Sequence, residues 1–119
     1  MGGGNVNLSN SISGRILSIE NNPVLQKQLI DYLEDSGFTL FSAKTQEEGL
    51  TIFRHEQLDL ILSSTGLGLL EVMNRESPET PVIIISDQNA IGYAVDALRL
   101  GAWDFMLKPV LYLQFKTRL

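Results

Sequence analysis

The chain has no cysteine, one histidine, one tryptophan and four prolines in 119 residues. Without cysteine there is no disulfide, no thiolate nucleophile and no thiolate metal site. That fits a reducing, cytoplasmic compartment. A single His55, set among Arg54, Glu56 and Gln57, leaves no histidine cluster for metal or acid–base work and reads as a solvated surface residue. The longest apolar runs are strand-sized, far short of the roughly 20 residues that span a bilayer. No charged segment followed by an apolar one opens the chain, so no signal peptide is expected. Basic residues are outnumbered: nine Lys and Arg against 14 Asp and Glu give a net charge of −5. Direct binding along a nucleic-acid backbone needs a basic face and is not expected.

What is present is a chain of single-domain size, 44% hydrophobic. Residues 1–13 are rich in Gly, Asn and Ser, and Met1-Gly2-Gly3-Gly4 reads as a flexible lead or vector-derived scar outside the fold. From residue 14 onward, apolar strands alternate with helical stripes. Arg15 to Ile19 is a first strand. Asn22-Pro23 opens a helix, with Asn as N-cap and Pro in the first turn. Leu25, Leu29, Ile30 and Leu33 recur at helical spacing, and Gly37 stops the helix. Phe38 to Ala43 is the second strand. Thr45 and Glu48 form a capping box for a second helix carrying Leu50 and Phe53 inward and ending near Glu56.

Leu58 to Ser63 is the third strand, a Gly-containing loop follows, and a third helix covers about Leu69 to Arg75. The fourth strand is Val82 to Ile85. The fourth helix runs from about Ala90 to Leu100, with Gly101 as its stop, and the fifth strand is Trp103 to Leu107. Leu111 to Leu119 reads as a short final helix. Strict alternation, with strands apolar on both faces, implies an α/β fold: three layers around a doubly wound, five-stranded parallel sheet. In such sheets the carboxyl ends of the strands carry the site. Hydroxyls and a lysine fall there.

These residues resemble the receiver domain of two-component response regulators. The most specific segment is Ala94 to Pro109, which ends Gly101-Ala102-Trp103-Asp104-Phe105-Met106-Leu107-Lys108-Pro109. It is similar to the family's fourth helix, fifth strand and Lys-Pro turn. Leu58-Asp59-Leu60-Ile61-Leu62 looks like the family's run into its phosphoacceptor. The resemblance covers about residues 15–119 and implies the flavodoxin-like strand order 2-1-3-4-5. It also implies phosphoryl transfer from a histidine kinase onto an aspartate. The family's acidic pair matches Glu20 and Asn21, its phosphoacceptor Ser64, its switch hydroxyl Ser86, its lysine Lys108 and its switch aromatic Phe105. The departures set the expectation. Serine cannot form an acyl phosphate. Asn21 removes a metal-binding carboxylate, leaving Glu20 the one plausible residual ligand, so no Mg²⁺ and no cofactor are expected. The loop from Ser64 to Gly68 is about four residues shorter than the family's.

The implied function is therefore a degenerate receiver, not an enzyme. It is expected to serve as a phosphorylation-independent module for a protein partner or homodimer through the fourth helix, fifth strand and final helix. Ile91, Tyr93, Val95, Trp103 and Tyr112 are candidates for that face. Ser64 is expected to cap backbone groups at the strand end, and Asp87 to cap the fourth helix. Two rivals stand beside this reading. One is a phosphoacceptor that uses Asp87 or Glu20. The other is a flavin or nucleotide binder using the Ser63-Ser64-Thr65-Gly66-Leu67-Gly68 loop, whose backbone amides are of the kind that cradle phosphate. Receivers commonly open longer proteins, and the short final helix implies an excised piece.

Overall fold

A computed structural model describes residues 14–64, 66–86 and 91–108. Five strands alternate with four helices: β1 Arg15–Ile19, α1 Pro23–Asp35, β2 Thr39–Ala43, α2 Gln46–His55, β3 Leu60–Ser63, α3 Leu67–Glu76, β4 Val82–Ser86, α4 Ile91–Arg99 and β5 Asp104–Leu107. All four strand pairings are parallel, in the order β2-β1-β3-β4-β5. The expected doubly wound sheet is the one observed. The expected final helix at 111–119 lies outside the described residues.

Capping residues set the helix boundaries. The Asn22 side chain accepts from the amides of Val24 and Leu25, with Pro23 filling the first turn. Thr45 Oγ1 accepts from Glu48 N at 3.1 Å. The return half of that box is displaced by one residue, since Glu48 Oε1 accepts from Lys44 N rather than from Thr45. Gly37 and Gly101 adopt φ of +99° and +106° after their helices, a region that L side chains avoid.

Each face of the sheet buries its own cluster. Leu17, Ile19, Ile61, Val82 and Ile84 pack with Leu69, Leu70 and Met73 of α3 and Ala97 of α4. On the other face Ile16, Leu60, Leu62, Ile83, Ile85 and Met106 pack with Leu29 and Leu33 of α1. Burial on both faces explains why β3 and β4 read as unbroken apolar runs. A Cβ on Gly49 would lie 2.5 Å from Ile19 Cδ1, so α2 sits close against β1 and any larger residue there would have to displace the buried Ile19 side chain.

The structure differs from the sequence reading in several details. β3 starts at Leu60 because Asp59 is spent on the strand's entrance: its amide bonds Arg15 O and its carboxylate accepts from Arg15 N. β5 starts at Asp104, although Trp103 N already bonds Val82 O. The stripe of α1 buries Gln26 beside Leu29 and Leu33, while Leu25 and Ile30 are only half-buried. A polar residue there needs partners. It has them: Gln26 Nε2 donates to Ser18 O and Ala43 O, and its Oε1 accepts from Ser18 Oγ. Gln26 thus ties α1 to the carboxyl ends of β1 and β2.

Candidate functional site

Parallel register delivers four chain segments to one edge. Ile19 pairs with Ser63, Ser63 with Ile84, and Ser86 with Leu107. The next residues, Glu20, Ser64 and Lys108, therefore emerge together. Their backbones stay in the ladder: Glu20 N bonds Ala43 O, Ser64 N bonds Ile19 O, and Lys108 N bonds Ser86 O.

Glu20 is the centre of this edge. It is 1% exposed, and a buried carboxylate is costly unless it is paired and hydrogen-bonded. Its Oε1 accepts from Ser64 Oγ in a short hydrogen bond and lies 3.0 Å from Lys108 Nζ. Its Oε2 accepts from Asn22 N at 2.9 Å. Burial pushes the Glu20 carboxyl up. The Ser64 hydroxyl, the Asn22 amide and the Lys108 ammonium outweigh that and hold it below the usual carboxylate range. The site thus contains an ionised glutamate neutralised from within.

Ser64 departs from its expected backbone-capping role. Its hydroxyl donates to Glu20, because the register places a buried anion within reach. Ser86 is buried at the end of β4, where its carbonyl accepts from Lys108 N. Asn21 is exposed and lies beside the cluster, lining a cavity with Lys44, Thr45, Gln46 and Ser64. Asp87 lies outside the described residues. His55 is exposed, with Nδ1 2.8 Å from Thr51 O. Lys44, Gln46 and Gln26 escaped the sequence reading. Gln26 had a signal, a polar residue in an apolar helical stripe. Lys44 and Gln46 had none, since their proximity to Ser64 is a product of strand order.

Among the described residues, no group of three or more Asp, Glu, His or Cys is placed to hold a metal. The donor set explains this, because Glu20 is already ion-paired and Asn21 and Ser64 are neutral. A larger groove, about 640 Å³, lies at the opposite end of the sheet. Its carboxylates are engaged: Glu56 with Arg15, Glu76 with Arg54, Asp59 with Arg15 N and Glu79 with Ser77. It has no free acid for chemistry.

Phe105 lies three residues before Lys108 and is half-buried, edge-on to Tyr93 with ring centroids 5.8 Å apart. Tyr93 therefore packs toward the core rather than standing free on an interaction face. Val95 at 39% and Trp103 at 59% are exposed, as are Leu98 and Leu107. The Ile91 side chain and Tyr112 lie outside the described residues. No helix among the described residues is long and apolar enough to cross a membrane.

The family model for the response regulator receiver domain matches residues 16–119. The nitrogen assimilation regulatory protein NtrX of Azorhizobium caulinodans is 33% identical over 102 residues, covering 79% of this chain and 22% of that protein. The receiver domain of NtrX from Brucella abortus superposes with a TM-score of 0.79 at 27% identity, covering 87% of this chain and 92% of that one. A CheY-like receiver domain protein from Methanospirillum hungatei gives a TM-score of 0.82 at 24% identity, with coverage of 87% and 88%. This last likeness concerns the fold. The chain spans about a fifth of the length of the curated relatives it matches. Sheet order, the edge that gathers Glu20, Ser64, Ser86 and Lys108, and the family match agree, and the chain belongs to the response regulator receiver domain family of two-component signalling.

Proposed function

We propose that this receiver transmits a signal without phosphorylation of its own site. In this reading it is a cytoplasmic, non-enzymatic module that docks a protein partner or a second copy of itself through α4 and β5. One observation carries the proposal: the only buried carboxylate at the sheet's carboxyl edge, among the described residues, is saturated by Ser64, Asn22 N and Lys108. Phosphoryl transfer to a carboxylate needs a free oxygen in line with phosphorus and a cation on the departing charge. Both Glu20 oxygens are engaged, and the cation beside it, Lys108, is spent on neutralising it. Ser64, at the tip of β3, bears a hydroxyl and forms no mixed anhydride.

The exposed apolar side chains Val95, Leu98 and Trp103 support the choice of face. Large exposed aromatics are enriched at protein interfaces.

Incubation with acetyl phosphate and Mg²⁺, followed by intact mass, tests the proposal. The expected mass is unchanged. A hydroxylamine-labile gain of one phosphate would overturn it and point to a carboxylate elsewhere, with Asp87 the first to substitute.

A further inference from the structure

The charge at the carboxyl edge goes from neutral on one side of Ser64 to positive on the other. On the Lys108 side, Glu20 and Lys108 cancel at 3.0 Å. On the other side a cavity of about 360 Å³ is lined by Asn21, Lys44, Thr45, Gln46 and Ser64. It has no carboxylate in its lining. The Lys44 ammonium forms no ion pair among the described residues, although the Glu48 carboxylate sits on its backbone amide. Asn21 and Gln46 are exposed and each presents an amide with two donors. A second cavity of about 360 Å³ adjoins across Asn21 and Lys44 and runs along α1 past Gln26 and Ile30; the two carboxylates in its lining are ion-paired, Glu20 with Lys108 and Asp31 with Lys27. One cation, two amides and two hydroxyls line the first cavity, and its own wall holds no acid.

We infer that this cavity is a site for a small oxyanion of the phosphate class, held noncovalently and without metal by Lys44, Asn21 and Gln46. The physical reason is the internal neutralisation of Glu20. A carboxylate pair would demand a cation first. Once the glutamate is satisfied by Lys108 and Ser64, the one charged group in the cavity's own lining is Lys44. Charge-assisted hydrogen bonds from an ammonium to phosphate oxygens are the strong ones. The site is open to solvent, so screening keeps its affinity in the millimolar range. The second cavity leaves room for a substituent on the phosphate, so a phosphomonoester and the free ion share this chemistry.

Titration of ¹⁵N-labelled protein, free of Mg²⁺ and at constant ionic strength, tests the site. One series uses inorganic phosphate and a second uses phosphoserine. Saturable shifts confined to the amides of Asn21, Lys44, Gln46 and Ser64 are expected. Lys44→Gln, an exposed change that leaves the fold alone, should weaken binding roughly tenfold. Ser64→Asp should abolish it by placing a carboxylate in the wall. Tighter binding of phosphoserine identifies the ester as the better ligand, and equal binding identifies the free ion. Non-saturating shifts spread over the surface, or shifts that survive Lys44→Gln, would overturn the site while leaving the proposed function standing. Binding that appears only with Mg²⁺ would overturn both.

Discussion

Lys108→Met removes the ammonium but keeps most of the side-chain length. Lys108 is 24% exposed and Glu20 1%, so the pair is mostly shielded from solvent. Removing one partner of a fully buried pair costs about 3–5 kcal/mol. Glu20 retains Ser64 and Asn22 N, which places the cost nearer that of one charge-assisted hydrogen bond, about 1.5–3 kcal/mol at pH 7. Urea denaturation followed by circular dichroism measures this as a lower midpoint at unchanged slope. The pH dependence carries the sharper test. The Glu20 carboxyl is held below its usual value of about 4.5 in the folded chain. Its contribution is therefore fully present above that value and is lost as pH falls through the lower folded one. In Lys108→Met the hydrogen bond and the charge that lower the group from that side are both gone while burial still pushes it up, so the variant loses the contribution at higher pH. The gap between the two proteins should be widest near neutrality and close below about pH 4. A cost under about 0.5 kcal/mol at pH 7, or a gap that does not change down to pH 3, would refute the internal neutralisation of Glu20. A cycle with Glu20→Gln should show coupling above about 1 kcal/mol.

Three further outcomes follow from the same geometry. Millimolar Mg²⁺ should leave the melting temperature unchanged, since only a ligand of the folded state raises it. The double change Ser64→Asp with Asn21→Asp should introduce an Mg²⁺-dependent rise, and a rise in the unaltered protein would contradict the site described. Gly101→Ala should destabilise more than Gly37→Ala in chemical denaturation. Both hold positive φ, but a Cβ at Gly101 would lie 2.5 Å from the Asn74 side chain while that at Gly37 meets nothing within 4 Å. Backbone strain alone is worth about 1–2 kcal/mol, and equal losses would show that Asn74 yields freely. Trp103→Ala should leave stability within about 0.5 kcal/mol and weaken self-association or partner capture in analytical ultracentrifugation. A large stability loss without any change in association would remove Trp103 from the docking face.

The alternation of apolar runs and amphipathic stripes determined the layers, and with them the parallel sheet. Strand faces covered on both sides have no other economical arrangement. The helix starts at Pro23 and Gln46 were legible too, because Asn22 and Thr45 act on amides only two or three residues away. Local chemistry is written locally. The membership of Glu20, Ser64, Ser86 and Lys108 in one edge came from resemblance.

Their bonding did not come from the sequence. Ser64 is 44 residues from Glu20, and only the β1–β3 register sets its hydroxyl against that carboxylate instead of a backbone group. The same holds for Tyr93. Its place in the sequence suggested a free surface, and its contact with Phe105 turns it toward the core. Lys44 and Gln46 became neighbours of Ser64 because β2 and β3 flank β1 on opposite sides. Periodicity reports which face of an element is apolar. Which polar groups meet at the end of a sheet depends on strand order and register, and these are settled by packing between elements far apart in the chain.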